Sequence, residues 1–394
     1  MKIFIDIRAL DARYASGVPP RQKYWCGGVP GYVRMLVENL LAEAPNEEFI
    51  FFANSFRRNL EKTDLPRQYR GDWLNLGLPN RLLDLVNHFL SIPKIDKIVS
   101  ADVFYSPHFN LLSFERSSKH VLTIHDISFY HYPDFFSRRK QFWHWQQDWR
   151  KQMENAGRII TNSDYTSGDL VETLKLNPEK ITRIYPGVNP FYKKLSKDDI
   201  NLIRFRNEKE LNKPFLLSVG TLEPRKNIVA AIRAFNFLKQ SPAFKDIELI
   251  IVGPRGWLYD KILKEAESSP WQNKIRIWGR AAPEELLYLY NLASVFVYPS
   301  FFEGFGFPPL EAQACGLPVV ASNRSSLPEA LGKSAFLVDP WRVSELALAV
   351  ESVLTNQKIS ETLKARGAEN VSRFNWRDTA REVITLLRNH KSDA

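Results

Sequence analysis

The chain has only two cysteines, Cys26 and Cys315, far apart and without metal-ligand spacing. That excludes a disulfide framework or a cysteine zinc site and fits a reducing compartment. No apolar run reaches the ~18 residues that a membrane-spanning helix needs. The opening MKIFIDIRALD places Asp6 and Asp11 too early for a secretory signal, so a cytoplasmic location is expected. Internal repeats and low-complexity segments are absent. No G-x-G-x-x-G follows the first strand pattern, which argues against a nicotinamide dinucleotide site. Acidic charge is in deficit: 44 Asp and Glu stand against 54 Lys and Arg, a formal net charge of +10. Such a balance suits nucleic acid, anionic membrane or phosphate-bearing substrates. The surplus is spread along the chain and no aromatic–basic signature of RNA recognition occurs, so nucleic acid is not an expected partner.

What is present is an ordinary globular composition, 44% hydrophobic and 25% charged, over 394 residues. That length exceeds what one hydrophobic core serves, so two domains are expected, with the boundary near 190–210. β-branched and aromatic runs at 2–10, 49–54, 101–107, 120–128 and 158–164 read as strands. A second series occupies 212–220, 247–253, 275–279, 294–300, 318–322 and 335–340. Helical patterns fall between them, as at 32–44 and 283–293. Strands alternating with helices in both halves predict an α/β fold of two Rossmann-like, doubly wound domains.

The stretch from Ser294 to Ser322, SVFVYPSFFEGFGFPPLEAQACGLPVVAS, carries the most chemistry. It reads as strand, glycine loop, short helix and strand. Gly304 and Gly306 permit a sharp turn, Pro308 and Pro309 suit a first helical turn, and Gly316 suits its stop. Glu303 and Glu311 bracket the turn with seven residues between them. A helix N-terminus favours a phosphate, and a carboxylate beside it can accept hydrogen bonds from neighbouring sugar hydroxyls. Phosphate and diol together describe a nucleotide-sugar. The prolines remove two donors, leaving N–H groups such as those of Gly306, Phe307 and Leu310. Gly220-Thr221-Leu222-Glu223-Pro224-Arg225-Lys226-Asn227 follows a strand and precedes a helix, and its adjacent cations suit a departing diphosphate. His125 and Asp126 end another strand, where polar residues commonly face a ligand.

Glu303, seven residues and Glu311, inside EGFGFPPLEAQACGLPVVAS, resemble the signature of glycosyltransferase family 4, and order and spacing agree over nearly the whole chain. The resemblance implies the GT-B arrangement of two Rossmann-like domains facing across a cleft. An acceptor domain would cover 1–200 and a donor domain 201–375, with the 376–394 helix crossing back to the first. It implies a retaining transfer of a hexose from a nucleoside-diphosphate sugar to a glycan or lipid-linked acceptor. Glu311 would hold the ribose, Lys226 and Arg225 the pyrophosphate, and Glu303 and His125 the hexose hydroxyls. Donor contacts are further expected from Gly306, Phe305, Phe307, Leu310, Thr221, Gly28 and Arg280, the last two from loops that in relatives face the pyrophosphate and the nucleobase. Gly28-Val29-Pro30-Gly31 departs from the usual glycine-rich turn, and the 13–26 insertion is an alternative acceptor element. No Asp-x-Asp, the metal pattern of the other large glycosyltransferase fold, occurs, so no metal or cofactor is expected. GTLEPRKN, GPRGWLYDKIL and HDISFYHYPDFFS resemble mannosyltransferase-like members of bacterial polysaccharide pathways, which favours GDP-mannose.

The rivals are a sugar phosphorylase or epimerase on the same fold, a non-catalytic nucleotide-sugar binder and a glycosidase. Retaining hydrolases hold their carboxylates ~5–5.5 Å apart across the bond, whereas Glu303 and Glu311 lie along one segment. Two amphipathic stretches add a question of partners. PNRLLDLVNHFLSI (79–92) has one greasy face, expected to pack on its own sheet, with the neighbouring Arg57, Arg58, Arg67 and Arg70 lending weight to membrane contact instead. SRRKQFWHWQQDWRKQM (137–153) sets Phe142, Trp145, Trp149 and Met153 at helical spacing among cations, a core stripe or a peripheral contact with an anionic membrane.

Overall fold

A computed structural model describes residues 1–10, 28–54, 71–115 and 119–393, with residues 391–393 described by backbone alone. The expectations for the 11–27 loop, its insertion and Cys26, and for Arg57, Arg58, Arg67 and Arg70, lie outside the described residues. The chain divides into two compact units. One comprises Met1–His131, Arg138–Gly187 and Asn375–Ala394, the other Tyr132–Ser137 and Val188–Phe374.

The first unit is built on strands β1 (Lys2–Asp6), β2 (Glu48–Phe52), β3 (Asp72–Leu74), β4 (Val103–Ser106), β5 (His120–Ile124), β6 (Arg158–Thr161) and β7 (Ile181–Arg183). They form one sheet in the order β3-β2-β1-β4-β5-β6-β7, with every recorded pairing parallel. The second sheet contains β8 (Phe215–Val219), β9 (Glu248–Val252), β10 (Ile275–Gly279), β11 (Val295–Tyr298), β12 (Val319–Ser322) and β13 (Phe336–Val338), in the order β10-β9-β8-β11-β12-β13. Its pairings are parallel too. Central strands read as unbroken apolar runs because helices cover both faces, and β8, β9, β11 and β12 are buried throughout. In each sheet the order reverses once, between β1 and β4 and between β8 and β11. Ligands bind outside the carboxyl ends of the strands at such a point.

Three local expectations change, and the strand β3 is an addition to them. The helix of the first unit spans Gly28–Glu43, so Gly28 to Gly31 form its opening turn rather than a loop. The short strand β3 carries no readable alternation: it sits at the sheet edge and is mostly exposed. The 137–153 stretch is not one helix but two, Arg138–Gln146 and Trp149–Asn155. Gln147 turns fully inward, its Oε1 accepting from Leu111 N at 2.7 Å, and Asp148 takes a left-handed φ of 44°. Met153 therefore joins the core and Trp149 packs against it, while Phe142 and Trp145 stay exposed at 56% and 52%. Finally, the helix Asn80–Leu90 does not bury its apolar stripe on the sheet: Leu82, Leu85, Phe89 and Leu90 face outward. The last helix, Trp376–Asp393, belongs to the first unit, where it packs along Gly28–Glu43 and Arg377 and Arg381 bond Glu43.

Candidate active site

The second unit gathers its charge at the carboxyl ends of β8 and β11. Gly220 closes β8, and the turn from Thr221 ends in a short 3-10 helix, Pro224–Lys226, that points Arg225 and Lys226 toward the end of β11. Strand alternation sets Tyr298 and Ser300 on the same side there. Glu303 lies between the two cations. Its Oε1 accepts from Lys226 Nζ at 2.7 Å, from the Tyr298 hydroxyl at 2.8 Å and from the Ser300 hydroxyl at 2.6 Å, while Oε2 accepts from Arg225 at 3.2 Å. Arg225 reaches Glu223 at 2.9 Å and the Phe302 carbonyl at 2.9 Å. Lys226 also donates to Tyr298 at 2.8 Å, which leaves the third N–H of its ammonium.

These groups are nearly dry. The side chains of Lys226, Arg225 and Glu303 are 11%, 17% and 7% exposed. Burial alone would raise the Glu303 carboxyl, but Lys226 and Arg225 outweigh it and hold the group at about 2. Burial pushes the Lys226 ammonium below its usual value against the pull of Glu303. Two cations and two carboxylates, Glu223 included, balance. The sequence shows the cations as a bare positive turn; the fold neutralises them in advance. A firmly ionised, four-times hydrogen-bonded carboxylate is a poor nucleophile and a rigid support for the two cations.

The other carboxylate sits apart from this network. Glu311 lies in the second turn of the helix Phe307–Ala314, not in its opening turn. It is half-buried, its Oε2 accepts from the Tyr290 hydroxyl at 3.0 Å, and burial pushes its carboxyl up to about 7. Gly306 caps the helix at φ 101°, where a Cβ would come within 2.7 Å of Leu327. Both facts require glycine. The main chains of Gly306, Phe307 and Leu310 open this helix. The Phe305 ring is 2% exposed, set edge-on against Phe307 and Phe374, which leaves its backbone for the expected donor contact. Leu310 is wholly buried. Thr221 and Arg280 are half-buried at the ends of β8 and β10.

His125 and Gly28 belong to the first unit. His125 follows β5, its Nε2–H donates to the Pro107 carbonyl at 3.0 Å, and the Tyr32 ring meets it edge-on at 4.6 Å. Burial lowers its pKa. The imidazole is thus neutral with Nδ1 as its acceptor. Asp126 instead caps the next turn through Ser128 N and Oγ, at 2.9 and 2.6 Å. Gly28 starts its helix at φ 63°.

Several residues at these points carried no sequence signal beyond pattern. Tyr298 and Ser300 are legible only as same-face positions of a strand, and Tyr290 only as a helix residue. Arg8 stands in the apolar opening run yet is wholly buried, paired with Asp6 at 2.7 Å and donating to the carbonyls of Asn110 and Leu111 at 3.0 and 3.3 Å. It holds the segment after β4 that contains Pro107. Burial would raise the Asp6 carboxyl, but Arg8 keeps it below the usual range. His108, 3.6 Å from Asp6, is driven down to about 4 by burial.

Two parallel sheets that share a 3-2-1-4-5-6 winding, the first with a seventh strand at its edge, each with polar groups at its reversal point, define a two-domain α/β protein of Rossmann-like halves. The solved structure of sucrose-phosphate synthase from Thermosynechococcus elongatus shares this GT-B fold, with TM-score 0.75 and 21% identity over 100% of both chains. Residues 26–190 match the model of Glycosyltransferase Family 4, and residues 199–370 that of Glycosyl transferases group 1. O-antigen chain mannosyltransferase B of Escherichia coli is 30% identical over 294 residues, covering 74% of each chain. Serotype-specific mannosyltransferase WbdA of Escherichia coli is 30% identical over 236 residues, 59% of this chain and 29% of that longer protein. The chain belongs to the glycosyltransferase family that these models describe.

Proposed function

We propose that this glycosyltransferase is a retaining hexosyltransferase of polysaccharide synthesis that moves mannose from GDP-mannose to a glycan or lipid-linked acceptor. The observation that carries the reading is the Arg225–Lys226–Glu303 cluster at the reversal point of the second sheet. The 30% identity to O-antigen chain mannosyltransferase B supports mannose and the O-antigen class of acceptor.

In this reading the diphosphate of the donor lies against Arg225 and the remaining N–H of Lys226, with main-chain N–H groups of Gly306, Phe307 and Leu310 and the Thr221 region alongside. Glu311 accepts from the ribose hydroxyls, and Arg280 stands by the nucleobase. Glu303 anchors the cations and meets a hexose hydroxyl. His125, through Nδ1, and Gly28 are the residues of the first unit kept in this reading as donor contacts. The bond from the anomeric carbon to the phosphate oxygen breaks as the acceptor oxygen bonds the same face. The acceptor proton passes to the departing phosphate oxygen, whose growing charge the two cations stabilise. No metal or cofactor takes part. The low basicity of Glu303 favours this course over a glutamyl intermediate.

The test is transfer from GDP-mannose to a water-soluble mannoside, with the product anomer read by NMR. Retained configuration and a loss of about 10²–10³ in kcat for Lys226→Ala are expected. An inverted product, or near-normal turnover in that variant, overturns the proposal. Among GDP, UDP, ADP, TDP and CDP, GDP should raise the melting temperature most.

A further inference from the structure

The helix Asn80–Leu90 is inside out. Its apolar residues recur at 82, 85, 86, 89 and 90, a stripe that ordinarily faces a core. Instead Leu82, Leu85, Phe89 and Leu90 are 45%, 37%, 67% and 64% exposed, while Leu83, Asp84 and Asn87 are buried. The cause lies beneath: Asp84 sits 4.0 Å from the buried Arg8 and accepts from Gln147 at 3.4 Å, so the polar side of the helix is drawn inward. The neighbouring helix Arg138–Gln146 continues the apolar face. Trp145 lies 6.4 Å from Phe89, 5.5 Å from Phe142 and 4.3 Å from His88, and the His88 Nδ1–H donates to the Gln146 carbonyl at 3.0 Å. Six large apolar side chains thus form one outward patch.

Among the described residues of these two helices, the exposed charge is of one sign. Arg81, Arg138 and Arg139 are exposed and form no ion pair among the described residues. Asp84, the sole carboxylate on either helix, is 4% exposed. Aromatic and aliphatic side chains ringed by arginines match the acyl–headgroup boundary of an anionic bilayer, where rings sit at the interface and cations meet phosphates. A second copy fits poorly, because a two-fold contact would bring the same arginine rims together.

We propose that this face docks the protein on an anionic lipid surface, with Leu85, Phe89 and Trp145 entering the interface and Arg81, Arg138 and Arg139 on the phosphates. The contact is separate from the transfer site of the second unit and goes beyond the proposed reaction. The experiment is flotation of the full chain with vesicles of phosphatidylcholine alone and with phosphatidylglycerol, alongside light scattering of the free protein. Binding to the anionic vesicles, weakening as salt rises, is expected. F89S/W145S should lower it at least tenfold, and R138E/R139E should lower it further than the fivefold or so carried by one cation. Because all four positions are exposed, both variants should keep the melting temperature and the turnover on a water-soluble acceptor. Absence of binding to anionic vesicles, equal binding by both variants, or an oligomer that F89S/W145S dissociates would each overturn the proposal. Failure of the transferase reading would show separately, on the soluble acceptor.

Discussion

Replacing Glu303 by Gln keeps the shape of the side chain and removes its charge. With the new amide donor facing Arg225 where an acceptor stood, Lys226 keeps the Tyr298 hydroxyl and a neutral amide oxygen but loses its counter-charge. Depression of the carboxyl from 4.5 to about 2 corresponds to roughly 3 kcal/mol at 1.36 kcal/mol per unit. Removing one partner of a buried pair independently costs about 3–5 kcal/mol. The folded pKa lies below the unfolded one, so this stability is fully present above about pH 4.5 and is lost as the pH falls toward 2. At pH 7 the variant should lose about 3 kcal/mol, a fall of roughly 6–12 °C in the calorimetric transition of the second unit. By pH 3.5 roughly 1.4 kcal/mol of that gap should have closed. Adding Lys226→Met should restore part of the loss, since no uncompensated charge then remains. A gap below about 1 kcal/mol at pH 7, or strict additivity of the two substitutions, would refute the view of Glu303 as an anchor for the cations.

Two further outcomes follow from the same unit. Glu311 must be ionised to accept from two hydroxyls, and its carboxyl stands at about 7, so GDP affinity by calorimetry should weaken as pH drops from 8 to 6. Glu311→Gln should bind more weakly at pH 8 and lose that part of the dependence; a pH profile identical to the parent's would contradict the role. At Gly253, φ is 155° and a Cβ would overlap the Gly220 carbonyl oxygen, so Gly253→Ala should cost about 3 kcal/mol or more of stability or prevent folding. A melting temperature within 2 °C of the parent would show that the close approach of the two turns is not needed.

By itself the sequence determined the fold class, because parallel strands buried on both faces must be written as apolar runs with helices between them. β9 spans Glu248–Val252, inside the 247–253 run that the pattern marked, and is buried throughout. It also determined the family, because a glycine turn, two prolines and two carboxylates at one spacing form a local unit whose chemistry needs no distant partner. What only the tertiary structure decided were the outcomes that depend on residues far apart in the chain. Arg225 and Lys226 are neutralised by Glu303, 77 or 78 residues away. Helical periodicity predicts an amphipathic stripe but not which side is buried. At Asn80–Leu90 the inward direction was set by Arg8, whose buried guanidinium stands near the carboxylate of Asp84, so the greasy face was left to the outside. The same core polar groups broke the 137–153 stretch at Gln147. Hydrophobic pattern is a local property; the desolvation of a charge depends on whatever the whole fold places around it.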